Sequence, residues 1–574
     1  MVINNWNINK DVDLDKAKAL AKQLNNIDLP LAKILIQRGI DSFDKAKSFF
    51  RPSLENLYSP FLMKDMDKAV DRLSKSISNN EKILIYGDYD VDGTTAIALL
   101  LTFLKKFSNN VDYYVPDRYK EGYGVSEKGI DFAIENKFDL MITVDCGIKA
   151  NKQINRAVQA GIDVIVCDHH EQGSDTPNAF ALLDPKQNKC DYPFKGLSGC
   201  GVAFKFLQGF CEKNNISQFD NLYTLLDFVV VSIASDIVPI IDENRILASF
   251  GLKLVNSSPS LGIKTLKEFL KLENTNIEIN DIVFKFAPRI NSAGRINSAR
   301  HAVELLIAEN ESSALAICEE VEMYNNTRKE IESNITKEAL KMIENDDFLL
   351  NAKSTVLFSE KWSKGVVGIV ASSLIETYFR PTIIFTKTGD MLSGSARSVP
   401  GFNLYEAVEH CEDLIESYGG HFYAVGLNIK AENFDAFRKK FNDFVSKNLT
   451  KEQSIPSISI DTELNLSDIT PKFYRLLQQM GPFGPENMTP VFMSKNLYDS
   501  SFSKTVGKTA EHLKLSIIQP DNNKNIVDAI AFGYGHLFNE IKNKKFHLCY
   551  NITENEFLNT KSLQLFVKDI KVEQ

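Results

Sequence analysis

Residues 82–107, KILIYGDYDVDGTTAIALLLTFLKKF, decide the fold. A short apolar run ends in an acid-bearing turn, and a helical apolar stretch follows. The order recurs at 139–147, where DLMITV precedes DCG, and at 163–170, where DVIVC precedes DHH. Apolar strands alternating with helices at this spacing predict a parallel, doubly wound sheet. Ligands of such sheets bind beyond the carboxyl ends of the strands. Each of the three strands ends in an acidic turn, so their polar residues are expected to converge in one crevice.

The polar residues of that crevice point to chemistry. Asp88, Asp90 and Asp92 alternate, so two carboxylates can be aimed the same way. Gly87 and Gly93 let the backbone bend. Asp145 ends the second strand, and Asp168, His169 and His170 end the third. Asp236 follows the very apolar FVVVSIA. A single aspartate is as readily a helix cap or a turn residue. A set on successive strand ends is different, because buried carboxylates repel one another unless cations neutralise them. Oxygen ligands with one imidazole suit Mn²⁺ or Mg²⁺ better than zinc. Two such ions suit phosphoryl chemistry, one making hydroxide from water and both clamping the oxygens of an in-line displacement.

Outward from this core, residues 1–60 read as a helical lead-in and 61–300 as the catalytic α/β domain. Residues 301–346 read as a long connecting helix, and 347–450 as a second α/β domain. The polar stretch LTKEQSIPS (449–457) reads as a linker. Beyond it, 456–574 carries short alternating runs expected to form a small antiparallel barrel or sandwich.

Composition narrows the class. The chain has 574 residues, 44% hydrophobic and 25% charged, with a net charge of −9. That excludes a globally basic nucleic-acid coat, but not a nucleic-acid enzyme with one basic groove. The eight cysteines form no C-x-x-C pair. Reduced thiols in a cytoplasmic protein are expected. Neither a secretory signal nor an apolar run of membrane-spanning length is read.

GDYDVDG, VDCG, CDHH and ASDIVP resemble the DHH phosphoesterase superfamily. FFRPSLENLYSPFLMKDMDKAVDRL (49–73), APRINSAGR (287–295), SGSARS (393–398), GGH (419–421) and GPFGPENMTPVF (481–492) resemble its single-strand-specific exonuclease branch. The resemblance covers nearly the whole chain. It implies two α/β lobes, DHH and DHHA1, joined by a long helix, with a β-rich C-terminal OB-fold. It implies two divalent cations, Mn²⁺ or Mg²⁺, and 5′→3′ hydrolysis of single-stranded DNA to 5′ mononucleotides in recombination and repair. Carried over, Asp90 would hold the first ion, and Asp92, His169 and Asp236 the second. Asp145 would bridge them, and His170 would meet the scissile phosphate. Asp88 would tune the first site from behind. Where smaller superfamily members have a metal-binding His, this chain has Tyr86, so the first site has one protein ligand fewer.

Arg118, Arg289, Arg295 and Arg397 are candidates for a terminal-phosphate pocket, because guanidinium forks suit phosphate. Asn291 and His301 could assist. Ser395 and Arg397 are read in a Gly- and Ser-rich turn with free backbone N–H groups, an anion nest. By family position Ser395, Arg397 and His421 line the wall added by the DHHA1 domain. Three residues depart from the family pattern: Val425 in GGHFYAVG, and Glu486 and Met488 where Gly and Pro are expected. In the last domain Phe492, Lys508, His512, Lys514 and Phe532 are candidate DNA contacts, although Phe492 and Phe532 read equally well as barrel core.

A phosphodiesterase of very short oligonucleotides and a catalytically dead DNA-binding scaffold are the alternatives. The 450–574 domain counts against the first, and the intact acid set against the second. A helicase and a single-strand-binding protein are the expected partners, with no membrane association, for a monomer.

Overall fold

The computed structural model describes residues 4–9, 12–520, 526–557 and 560–573. The parts of the expected lead-in and C-terminal domain at 1–3, 10–11, 521–525, 558–559 and 574 lie outside the described residues. The chain divides into two compact units, each discontinuous in sequence.

The first unit comprises residues 58–236 and 250–456. Its first sheet is five-stranded and wholly parallel, in the order Val111–Tyr114, Ile83–Gly87, Leu140–Val144, Asp163–Cys167, Ala181–Leu183. Ile83–Gly87 and Leu140–Val144 are buried throughout, which is why they read as unbroken apolar runs. The helix Val91–Leu104 is apolar all round and buries every residue but Thr102, packing against Gly199–Lys213 and Leu226–Ser235. Asp90 caps it, accepting the Gly93 N–H at 3.0 Å.

Register does the rest. Gly87 lies opposite Val144, Val144 opposite Cys167, and Cys167 opposite Leu183. The residue after each is an aspartate: Asp88, Asp145, Asp168 and Asp184. Four strand ends therefore present four carboxylates along one edge.

The second lobe of this unit is a five-stranded mixed sheet ordered Ser417–Gly420, Ala424–Lys430, Met391–Arg397, Thr382–Thr388, Thr355–Phe358. Phe437, Phe441 and Val445 of the helix Phe434–Asn448 fill one core with the sheet. The helix Val367–Tyr378 and Ile335, Ala339 and Ile343 of the connector fill another.

Two expectations are corrected here. The stretch 301–346 is not one helix: Arg300–Leu306 ends, and a 34-residue helix, Glu311–Glu344, begins afresh at the Asn310 cap. The Asn310 side chain accepts the Ser313 N–H at 2.9 Å, a start signal inside a stretch whose apolar spacing looks continuous. Ser395 and Arg397 lie on a strand, not a turn, paired on one side with Thr382–Thr388 and on the other with Ala424–Lys430. The anion-nest reading fails, because N–H groups of a strand paired on both sides belong to the ladder.

The second unit comprises 4–57, 237–249 and 457–573. Seven strands run in the order Thr462–Glu463, Phe492–Asp499, Phe546–Phe557, Thr560–Val572, Val527–Ala531, His512–Ile518, Lys504–Val506. Pairing of Tyr498 with Ile518 and Asp499 with Ile517 closes them into a barrel. The lead-in is mostly helical, but Asn5–Ile8 is a strand, parallel to Ser457–Ile460. Leu20, Leu31, Ile34 and Leu35 of the lead-in share a core with Phe473, Phe492 and Leu513. Glu486 adopts a left-handed φ of 58°, the conformation a glycine takes without strain.

Candidate active site and metal centre

The strand-end acids and the histidines after Asp168 form one buried cluster. Ligand atoms of Asp88, Asp90 and Asp145 lie within 4.8 Å of one another, and so do those of Asp92, His169 and Asp236. Asp145, His169 and His170 form a third such group. Asp145 is held in a left-handed conformation, φ 57°, at the end of its strand. That is a strained state for a non-glycine residue and typical of functional sites.

Each ligand is aimed by a backbone or side-chain partner. Asp92 accepts the Gly199 N–H at 2.6 Å, the Cys200 N–H at 2.8 Å and the Ser232 hydroxyl at 2.7 Å. His169 donates Nδ1–H to the Leu197 carbonyl at 3.0 Å. Its Nε2 therefore carries the lone pair, yet it faces Asp145 at 3.1 Å, Asp236 at 3.6 Å and Asp92 at 3.7 Å. A lone pair among carboxylates is repulsive, and a divalent cation between them turns each contact into a ligand bond. The donor set thus fits the ions it was expected to hold.

The electrostatics agree. Burial, then Asp92 and Asp90, push Asp236 up to about 9. Burial and the neighbouring carboxylates push Asp145 far above the usual range. Asp88 is raised by burial and by Asp90. Its Oδ1 accepts a long 3.3 Å bond from the Gly124 N–H, and its Oδ2 is buried without a hydrogen bond among the described residues. Tyr86 is occupied elsewhere, donating to the Gly124 carbonyl at 3.0 Å and accepting the Ser126 N–H at 2.9 Å.

His170 lies beside His169, with ring centroids 4.5 Å apart. Asp168 accepts its Nδ1 proton at 2.7 Å, and Tyr123 places its hydroxyl 3.0 Å from Nε2. Burial works against protonation of His170, but the Asp168 bond outweighs it and raises the imidazole above its ordinary value. Burial likewise works against ionisation of Asp168, but the bond and charge of His170 hold it below the usual carboxylate range.

Arg118, Arg295 and Arg397 come together. Burial and repulsion from Arg118, Arg328 and Arg397 push Arg295 down to about 10. Arg118 packs over the Tyr89 ring at 4.1 Å, Arg295 donates to the Gly365 carbonyl at 2.8 Å, and Arg397 donates to Ser395 Oγ and the Ala396 carbonyl. Cations held so close repel one another, which lowers the Arg295 guanidinium. Arg289 is different: it pairs with Glu322, Nε to Oε2 at 2.5 Å, which neutralises it. His301 pairs with Glu320 at 3.2 Å, and the Asn291 Oδ1 is buried without a hydrogen bond among the described residues. His421 is exposed at the tip of a hairpin.

In the barrel, Phe492 is fully buried against Phe473 and Tyr550, which removes it from the DNA contacts. Phe532 is 53% exposed, with the His512 ring at 4.9 Å and the Phe566 ring at 5.7 Å. Lys508 is exposed and Lys514 half-buried.

Sequence reading missed Asp184, Tyr123 and Arg328. Asp184 completes the carboxylate edge, and burial pushes it up to about 7. The repeated strand-then-Asp order was its signal. Arg328 resembles an ordinary helix-surface ion pair with Glu332.

A doubly wound parallel sheet with this acid–histidine edge, followed by a second α/β lobe, defines a DHH-type phosphoesterase. Family models agree: the DHH family N-terminal domain matches residues 82–233, the DHHA1 domain 351–447, and the RecJ OB domain 460–569. The single-stranded-DNA-specific exonuclease RecJ of Bacillus subtilis is 37% identical, over 99% of this chain and 71% of its own length. That of Escherichia coli is 31% identical, over 94% of this chain and 95% of its own. A crystal structure of Thermus thermophilus RecJ in complex with Mn²⁺ superposes with a TM-score of 0.85 at 24% identity, covering 99% of this chain and 80% of that one. The chain belongs to the RecJ family.

Proposed function

We propose that this chain is a two-metal 5′→3′ exonuclease that hydrolyses single-stranded DNA to 5′ mononucleotides in recombination and repair. The observation that carries the reading is the buried cluster in which His169 Nε2 faces three carboxylates. Its relatives bear the name of the same activity.

Asp90 and Asp145, with Asp88 beside them, would hold a first divalent cation. Asp92, His169, Asp236 and the shared Asp145 would hold a second. When bound, such ions supply a nucleophile at neutral pH and neutralise charge on the phosphate in flight. The remaining work belongs to side chains. Asp168 fixes the His170 ring, and His170 would meet the scissile phosphate. Arg118, Arg295 and Arg397 take the terminal phosphate and set the register of the strand. Ser395 orients Arg397. Arg289 supports the pocket from behind through Glu322. Selection against duplex would be steric, through a gap between the two lobes that admits one strand.

We take the chain to act as a monomer. A single-stranded substrate implies a helicase that makes it and a single-strand-binding protein that coats it. Eight free, buried cysteines support a reducing, cytoplasmic setting, and no helix among the described residues is long and apolar enough to cross a membrane.

The test uses long single-stranded DNA labelled at the 5′ end, and separately at the 3′ end, in Mn²⁺. Immediate release of labelled mononucleotide from the 5′ label alone supports the reading. Cleavage of a dinucleotide but of neither long strand would make the chain a short-oligonucleotide phosphodiesterase.

A further inference from the structure

Behind Asp92 two serines form a chain of hydroxyls. Ser232, on the helix Leu226–Ser235, lies 2.7 Å from Asp92 Oδ1 and 2.6 Å from Ser198 Oγ. Ser198 caps the helix Gly199–Lys213, its Oγ accepting the Gly201 N–H at 3.1 Å. Each hydroxyl has one proton to give, and an ionised carboxylate can only accept. Ser232 therefore donates to Asp92, and Ser198 in turn donates to Ser232. The direction of the chain is fixed, and both serines are fully buried, out of reach of bulk water.

A count of lone pairs gives the consequence. An ionised carboxylate has about four acceptor sites. On Asp92, Oδ1 accepts from Ser232 and from the Cys200 N–H at 2.8 Å, and Oδ2 accepts the Gly199 N–H at 2.6 Å. Among the described residues that leaves one site, on Oδ2, the oxygen that faces His169 Nε2 at 3.7 Å. Asp92 can thus offer a cation one oxygen and not two. Ser232 also steadies Asp236, whose N–H its carbonyl accepts at 2.9 Å. Carboxylates that give one oxygen each suit Mg²⁺, which demands a near-regular octahedron, and Mn²⁺, which shares that geometry. Ca²⁺ takes roughly six to eight oxygens and commonly both oxygens of a carboxylate.

We propose that Ser232 is a positioning residue that sets which cation the second site takes. By filling the last acceptor site of Asp92 Oδ1, it holds Asp92 to one-oxygen ligation and disfavours Ca²⁺. The inference rests on the two-metal reading and adds what makes one of its sites selective.

Displacement of bound Mn²⁺ by Ca²⁺, followed by the electron paramagnetic resonance of the released Mn²⁺, tests it on the full chain. Ser232→Ala should bind Mn²⁺ about tenfold more weakly, the scale on which groups behind metal ligands act, while its Ca²⁺ affinity holds or rises. The preference for Mn²⁺ over Ca²⁺ should fall by about that factor. Ser198→Ala frees the Ser232 hydroxyl to turn away from Asp92. It should move the preference the same way by less, and it decides the matter if Ser232→Ala does not fold. An unchanged preference, or equal losses for both ions as a merely loosened site would give, overturns the proposal and leaves the exonuclease reading in place. A wild type that binds Mn²⁺ but cuts no long single strand overturns the exonuclease reading alone. One that binds no Mn²⁺ sinks both.

Discussion

Gly199 lies directly against Asp145: a Cβ built on Gly199 would sit 2.6 Å from the Asp145 Cβ and 2.9 Å from its Cα. Gly199 also donates its N–H to Asp92. One glycine thus touches ligands of both proposed ions. Gly199→Ala keeps every ligand and moves two of them. We expect kcat to fall about a hundredfold, the scale on which small misplacements act, with the far-ultraviolet spectrum unchanged. A wild-type rate in single-turnover assays would show that the site tolerates the shift.

Asp145→Asn removes the carboxylate shared by both ion groups. Cleavage should be lost in Mn²⁺ and Mg²⁺ alike. The variant should also melt higher than the wild type in EDTA, because one of several mutually repelling carboxylates is gone. Mn²⁺ should raise the wild-type melting temperature and raise that of Asp145→Asn much less. Differential scanning fluorimetry with and without the ion measures both; equal gains would count against a bridging role.

Arg397→Ala should act on binding. Arg397 has hydrogen bonds to Ser395 and to a carbonyl, and its loss also relieves the repulsion on Arg295. KM should rise about tenfold, with kcat at saturating DNA largely kept. An equal fall in kcat for Arg397→Ala and Asp145→Asn would refute this division of labour.

Asp184 gives a pH signature. Its folded-state carboxyl is raised to about 7 from an ordinary 3.8. Between those values the unfolded chain has lost the proton and the native protein keeps it, so stability falls as pH rises and levels off above about 7. Asp184→Asn cannot titrate. Without metal, the wild type should lose melting temperature relative to Asp184→Asn from about pH 4 to pH 7. Parallel curves would mean that Asp184 is not protonated in the native state.

Much of this centre was legible in the sequence. Three strands announced themselves as apolar runs ending in Asp, and their parallel register follows from that repetition. Asp184 escaped because its strand, Ala181–Leu183, is three residues long and carries no periodicity. Tyr123 escaped because its meeting with His170 spans 47 residues of chain and no local pattern records it. The stretch SGSAR looked like a turn by composition, yet pairing on both sides makes it a strand. The strand Asn5–Ile8 has four residues and a partner some 450 positions away, so neighbouring sequence could not announce it.

That distant pairing also orders the birth of the molecule. The apolar face made by Leu20, Leu31, Ile34 and Leu35 leaves the ribosome long before its partners, Phe492 to Leu565. With N-terminal segments emerging first, the opening helices must wait, greasy side out, while the whole DHH and DHHA1 region is synthesised. That waiting face is therefore a natural client for a holding chaperone, and the 492–565 segment acts as the clasp.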